Sequence, residues 1–247
     1  MSFLIIAFLK IFFRNRRAMF FVILLPAGIF VILAFLRLEQ IIRFDSPVSY
    51  EEFLLCGIIA FALMQSGIYT ASYTLIDYRR AQILKRFAAT PLTAREFIFA
   101  QSVARFLIAL VEVAVLLVIG ILFFPVHLHP QIVLLPALVF VGSTVFLNFG
   151  FLIASCVRNY EEAAPYTTIV GLSLTFLGDV FFSVKNLPVV LQNLAEYLPL
   201  KPLSAILRFV VLGVSTSDLF WNAGALLAWL IISTLLAKTV FTKWAYK

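Results

Sequence analysis

Ionisable side chains are rare in this sequence, so the few that interrupt its apolar runs carry the first chemical information. Arg105 and Glu112 stand seven residues apart, which on a helix puts them on one face and roughly 10 Å apart along the axis. An ionised group in lipid is costly and normally faces a bundle interior, a cavity or an opposite charge. Glu112 is therefore a partner for a neighbouring span, a proton site or a contact for a cationic ligand, and structural pairing is the plainest of the three. Arg105 begins an apolar run and is placed to snorkel to a membrane surface. Asp179 closes another run, near water. Gln65, Ser66, Tyr69 and Asn148 are weaker candidates for lining a polar path, because such groups also hydrogen-bond between helices.

No nucleophile, base or metal cluster emerges. A His/Glu or Ser/Lys constellation is lacking, so no catalytic residue is expected. Cys56 and Cys156 sit inside apolar runs as small buried residues and define no disulfide framework. His127 and His129 share a short loop, too isolated to argue for a metal. The G-x-x-x-x-G-K-[ST] phosphate loop occurs nowhere, so ATP has no usual site on this chain.

The elements that position these residues follow from composition. Of 247 residues, 63% are hydrophobic and 13% charged, against about a quarter charged in a soluble domain. The solvent is lipid. Apolar stretches of spanning length recur at Ala18–Leu36, Phe53–Ile76, Arg105–Phe124, Ile132–Cys156, Ala164–Phe182 and Leu219–Lys238. These six predicted spans form one transmembrane domain over residues 1–247 and leave no room in it for a soluble domain. Capping signals support three starts: Ser49 with Glu52, Thr93 with Glu96, and Ser217 with Asp218. The basic start of the chain resembles a signal peptide, but no small-residue cleavage site follows, so the first span is expected to be mature structure.

Loop charge orients the spans. With the N-terminus inside, inner segments hold thirteen Lys and Arg residues: Lys10, Arg14, Arg16, Arg17, Arg79, Arg80, Lys85, Arg86, Arg95, Arg158, Lys238, Lys243 and Lys247. Outer segments hold five: Arg37, Arg43, Lys185, Lys201 and Arg208. The bias predicts cytoplasmic termini and makes the net charge of +7 a matter of topology, with anionic lipid as partner and no nucleic acid. Residues 1–17 read as an interfacial helix. Lys10, Arg14 and Arg17 share a face toward headgroups, and Phe3, Ile5, Ile6, Phe12 and Phe13 enter the acyl boundary. An anchor is its plain role, a gate its other one.

The longest inner loop covers residues 77–96. Tyr78 to Ala89 is predicted as a short helix carrying Arg79, Arg80, Lys85 and Arg86 with Ile83, Leu84 and Phe87. Thr90-Pro91 breaks it, because a residue before proline leaves the helical region. Such a clamped helix can transmit force from a soluble partner; a solvated positive-inside loop is the bland alternative.

The run Leu84-Lys85-Arg86-Phe87-Ala88-Ala89-Thr90-Pro91-Leu92 resembles the L-K-R-L-x-x-T-P-L pattern between the second and third spans of ABC-2 type permeases. Leu177 to Pro188 is similar to that family's L-S-G-x-F-F-P-x-x-x-L-P, with Leu198-Pro199-Leu200 and Leu207-Arg208 following at family spacing. Asp179 stands where the family has Gly, and Ser183 where it has Pro. The resemblance covers essentially the whole chain. It implies an all-α integral membrane fold with six transmembrane helices, an N-terminal interfacial amphipathic helix, and short outer-face or re-entrant helices over residues 185–218.

It also implies the membrane subunit of an ATP-driven exporter in a bacterial inner membrane. Partners would be an ABC ATPase carrying ATP and Mg, and a second permease copy or paralogue. The expected ATPase-coupling residues are Arg79, Arg80, Leu84, Lys85, Arg86, Phe87, Thr90 and Pro91, with Glu161 and Glu162 in the other inner loop. The expected pathway residues are Gln65, Tyr69, Glu112, Asn148, Thr175 and Asp179. Gly171, Thr175 and Gly178 form a small-residue stripe on span five, expected at a dimer interface or in packing within one chain. A hydrophobic or amphipathic drug-like cargo is expected, with lipid or lipid-linked glycan second. A stand-alone secondary transporter or channel is the alternative of another class; obvious inverted halves are absent from the sequence.

Overall fold

Ser49 sets the start of the helix around which everything else is built. Its hydroxyl accepts the N–H of Glu52 at 3.3 Å while a Glu52 carboxylate oxygen accepts the N–H of Ser49 at 3.2 Å, the reciprocal pair of a capping box. A computed structural model describes residues 2–36, 48–83, 94–214 and 218–245. The described residues are helical and contain no strand: α1 (Ser2–Arg14), α2 (Arg16–Phe35), α3 (Tyr50–Arg80), α4 (Ala94–Phe123), α5 (Pro130–Cys156), α6 (Tyr160–Leu177), α7 (Val189–Tyr197), α8 (Leu200–Leu212) and α9 (Leu219–Ala245).

Helix α3 is the axis. Of its apolar stretch 78% is buried, against 28% in α2 and 11% in α9, so α3 is solvated by protein and the outer helices must be solvated by lipid or another chain. Leu54, Leu55, Ile58, Ile59, Leu63 and Met64 form the main core with Phe30, Leu116, Phe146 and Leu203. Close approach is bought with glycine. A Cβ on Gly67 of α3 would fall 2.5 Å from Phe146 Cβ, and one on Gly150 of α5 would fall 2.6 Å from the Gly67 carbonyl oxygen. Where α3 meets α5 it widens into a π turn over Ser66–Thr70, a local distortion that often marks functional positions.

Five helices among the described residues are long and apolar enough to cross a membrane: α2, α3, α4, α5 and α9. The chain is thus a multi-pass membrane protein. Helix α6, expected as a crossing, has 18 residues and opens on Glu161 and Glu162, which lowers its apolar content below the other five.

Several expected boundaries move. Helix α3 runs on through Tyr78, Arg79 and Arg80, so these residues close a span rather than open a short helix over 78–89. The chain then turns at Ala81 and Gln82, with Gln82 at φ 53°. Leu84, Lys85, Arg86, Phe87, Thr90, Pro91 and the Thr93 cap lie outside the described residues, as does Ser217. Helix α4 starts at Ala94, about three turns before Arg105, which therefore sits inside the helix instead of at its mouth. Helix α6 stops at Leu177, leaving Asp179 to Phe182 beyond it.

The interfacial helix also differs. Phe8 and Phe12, one turn apart, are buried against protein, and Phe12 packs with Val22 and Ile108. Phe12 is thus a docking residue and not one that enters lipid. Phe3, Ile6 and Phe13 stay exposed as expected. Asn15 breaks the helix and caps α2 by accepting the N–H of Ala18 at 3.1 Å, which separates Arg17 from the helix that carries Lys10 and Arg14.

Candidate functional site

Three groups of polar residues stand out, one at each end of α3 and one beside its middle. At the basic end, predicted to be inner, the α5–α6 loop is tied to the last turn of α3. A guanidinium nitrogen of Arg79 donates to the carbonyl oxygens of Ala154 at 3.2 Å and Val157 at 2.5 Å. These are carbonyls that the end of α5 leaves without helical partners. Tyr160 donates its hydroxyl to Asp77, and the Arg80 guanidinium lies 4.8 Å from the centre of the Tyr160 ring, a cation–π distance. Glu162 is spent on the loop itself: it accepts the N–H of Arg158 at 2.8 Å, and its own N–H is capped by Asn159 at 2.8 Å. Glu161 is exposed.

On the other side of α3 the interfacial helix makes contact. Phe8 stacks on Tyr78 at 6.3 Å between ring centres and meets Phe97 edge-on at 5.6 Å. Tyr78 and Phe97 flank residues 84–93. Both ends of the predicted coupling segment are therefore clamped, one by α1 and α3, the other by α1 and α4.

In the middle, the expected pathway residues divide. Asn148 donates both amide hydrogens across to α9, to Ser233 at 3.2 Å and Thr234 at 3.0 Å, so it joins two spans. Ser72 donates to the Gly150 carbonyl at 3.0 Å. Tyr69, on the π turn, lies against Gly171 of α6: a Cβ there would fall 2.5 Å from its hydroxyl. Thr175 is buried and bonds to the Gly171 carbonyl at 2.7 Å within its own helix. Gly178 abuts Leu200 of α8. The stripe of Gly171, Thr175 and Gly178 thus packs inside the chain. Gln65 is half-buried just before the π turn.

Arg105 and Glu112 share a face of α4, and both are buried. Arg105 donates to the Thr74 hydroxyl at 3.2 Å, while its other terminal nitrogen and both Glu112 carboxylate oxygens have no hydrogen-bond partner among the described residues. Arg105 turns inward to Thr74 of α3 instead of snorkelling along α4, whose preceding residues Phe97, Ala100 and Ala104 are buried against protein.

At the other end, Asp179 takes a left-handed conformation, φ 58°, which Asp tolerates better than most residues other than Gly. Its carboxylate accepts the N–H of Val184 and pairs with Arg208 of α8 at 3.2 Å. Arg208 also donates to the Asp179 carbonyl and stacks 3.8 Å over the Phe53 ring. Ser183 accepts the N–H of Lys185 and opens a short 3-10 turn. A turn thus forms here with Asp179 at the position of the family's Gly and Ser183 at that of its Pro.

Sequence reasoning left out Asp77, Tyr160, Phe8, Tyr78 and Phe97 as contacts. Their signal was faint: one aspartate and four aromatic residues, with the partners of Asp77 and Phe8 lying 70 or more positions away.

A bundle with several membrane-length helices, a docked amphipathic helix and polar clusters at both ends of its axis defines a polytopic membrane component. The model of the ABC-2 type transporter family matches residues 2–212, and the chain belongs to that family of transmembrane transporter subunits. It is 21% identical over 187 residues to the probable multidrug ABC transporter permease YbhR of Escherichia coli strain K12, covering 75% of this chain and 51% of that protein. It is 24% identical over 198 residues to nodulation protein J of Rhizobium leguminosarum bv. trifolii, covering 79% and 75%. With the putative transport permease YvfS of Bacillus subtilis strain 168 it shares 23% over 197 residues, 79% of each. The chain spans about half the length of YbhR.

Proposed function

We propose that this chain is the six-span permease of an ATP-driven exporter in a bacterial inner membrane, with cytoplasmic termini. It works as a pair of copies or with a paralogue, on an ABC ATPase that binds ATP and Mg. One observation carries the reading: Phe8 touches both Tyr78 and Phe97, so α1 joins the two helices that precede and follow residues 84–93 in the chain. A partner that pushes on Lys85, Arg86 or Phe87 would tilt α3, and through Arg79 the α5–α6 loop. Force applied at one loop then reaches the helices that line any path.

The cargo proposed first is a hydrophobic or amphipathic small molecule. Support comes from the printed name of YbhR, a probable multidrug permease, and from the apolar main core around α3, with Glu112 the single buried carboxylate among the described residues.

Coexpression of the chain with candidate ABC ATPases, followed by purification and measurement of ATP turnover, tests the reading. Expected are stable association and turnover that depends on the permease, with loss of coupling in Arg86→Ala and Phe87→Ala. Unchanged coupling in both variants would exclude segment 84–93 as the contact.

A further inference from the structure

A cavity of about 70 Å³ lies between α1, α3 and α4, next to the clamp. Its polar lining is Asn15, Thr70, Thr74, Tyr78, Gln101 and Arg105. Arg105 is 7% exposed and Gln101 4%, and each presents an unpartnered polar atom, one guanidinium nitrogen and the amide oxygen. Among the described residues no carboxylate lines it. Glu112 lies two turns further along α4 and forms no ion pair with Arg105 among the described residues. Ile11 and Asn15 also wall an open groove whose remaining lining is Arg14, Arg16 and Arg17, all exposed. Phe13, whose ring meets that of the lining residue Phe12 at 5.4 Å, is exposed, as are Phe20 and Phe21, which follow Arg17 within about one turn of α2.

A buried cation with an unsatisfied donor is expensive unless an anion meets it. Space of this size holds several water-sized groups, the bulk of a tetrahedral phosphate. Arginine suits phosphate oxygens through paired N–H groups, and three exposed arginines outside raise the local concentration of anions.

We propose that this cleft binds a phosphate group, with Arg105 as the buried counter-charge, the Thr74 hydroxyl and the Gln101 amide, turned to present its N–H, as donors beside it, and Arg14, Arg16 and Arg17 as a collecting rim. The flanking apolar rings favour a phospholipid headgroup as the source over a free phosphate ester. The site rests on the reading of α1 as an interfacial helix. Occupancy would wedge α1 against Thr74 and Gln101, one turn or so from Tyr78 and Phe97, and so tie the clamp around segment 84–93 to lipid charge.

The full chain, purified in detergent, is titrated with phosphatidylglycerol, with diacylglycerol of the same chains, and with glycerol 3-phosphate; retained ligand is read by native mass spectrometry and protection by thermal unfolding. Expected is retention of phosphatidylglycerol over diacylglycerol, weakened about tenfold in Arg105→Gln, the loss of one charge-assisted contact. Thr74→Val, which keeps the shape, and the exposed triple variant Arg14→Gln, Arg16→Gln, Arg17→Gln should weaken it less and still fold. Protection by glycerol 3-phosphate as well supports the phosphate site and assigns the free ester as a source. Equal retention of the two lipids together with no effect of glycerol 3-phosphate overturns the proposal, as does wild-type retention in folded Thr74→Val and the triple variant. The readout needs no ATPase, so its failure leaves the coupling proposal standing.

Discussion

Arg208 and Asp179 meet at 3.2 Å with side chains 8% and 17% exposed, and this pair holds α8 against the turn that follows α6. Its neighbours show how deep α8 goes. Arg208 lies over Phe53 in the first turn of α3, while Leu203 and Leu63 both contact Gly142 of α5. Ten residues of α3 separate these levels, roughly 15 Å along the axis, so α8 dips into the bundle rather than lying on it.

Removing one member of a buried pair leaves a charge uncompensated and typically costs about 3–5 kcal/mol. Arg208→Gln and Asp179→Ala are each expected to lower the unfolding midpoint in detergent, and the double variant by less than their sum. Asp179→Asn, which retains the left-handed turn and a side-chain acceptor for Val184, should lose least. Strict additivity in the double-mutant cycle would show that the two side chains are not coupled.

Gly57 separates packing from propensity. A Cβ there would lie 2.1 Å from the Val180 carbonyl oxygen, whereas one on Gly28 or Gly224 meets nothing within 4 Å. Gly57→Ala forces backbone apart and should reduce the yield of folded protein severely. Gly28→Ala and Gly224→Ala should be neutral or stabilise by about 0.5–1 kcal/mol. Gel-filtration profiles from fluorescently tagged variants decide the matter, and a normal peak for Gly57→Ala would refute the contact.

Arg79 ties the α5–α6 loop to the end of α3. Arg79→Ala takes a charged donor from two carbonyls, a loss of about 1.5–3 kcal/mol, and Tyr160→Phe removes the bond to Asp77. In vesicles with the cognate ATPase, both should lower transport per ATP hydrolysed, with basal hydrolysis nearly unchanged. Parallel loss of hydrolysis and transport would instead assign these bonds to assembly.

The packing of Thr175 inside the chain relocates the expected contact between copies. Tyr166, Ile169, Leu172 and Phe176 form the exposed apolar face of α6. After replacement of Cys56 and Cys156, cysteines at Ile169 or Phe176 should cross-link between copies under oxidation, and one at Thr175 should not. The reverse pattern would restore the small-residue stripe as the interface.

Much of this molecule is legible in its sequence, for physical reasons of a local kind. Burying a backbone in lipid requires helix and about 20 apolar residues per crossing, so Ala18–Leu36, Phe53–Ile76 and Ile132–Cys156 announce themselves one at a time. The Ser49–Glu52 capping box needs three residues of separation and nothing else. Family-like patterns at Leu84–Leu92 and Leu177–Pro188 likewise lie within single segments, and the family itself was readable from them.

What tertiary structure alone settled depends on pairs far apart in the chain. Hydropathy cannot tell a lipid-facing apolar residue from a packed one, so Phe12 was assigned to the acyl boundary although it docks on Ile108. It cannot tell a snorkelling arginine from one turned inward, and Arg105 found Thr74. Asp179 reads as a residue near water, and only the fold brings it Arg208, 29 residues on, as its counter-charge. Asn148 looked like a pathway residue until Ser233 and Thr234 took both of its amide hydrogens. Each of these outcomes is a choice of partner, and in a bundle where nearly every surface is apolar, partner choice is set by glycine contacts and polar satisfaction across helices rather than by any pattern within one.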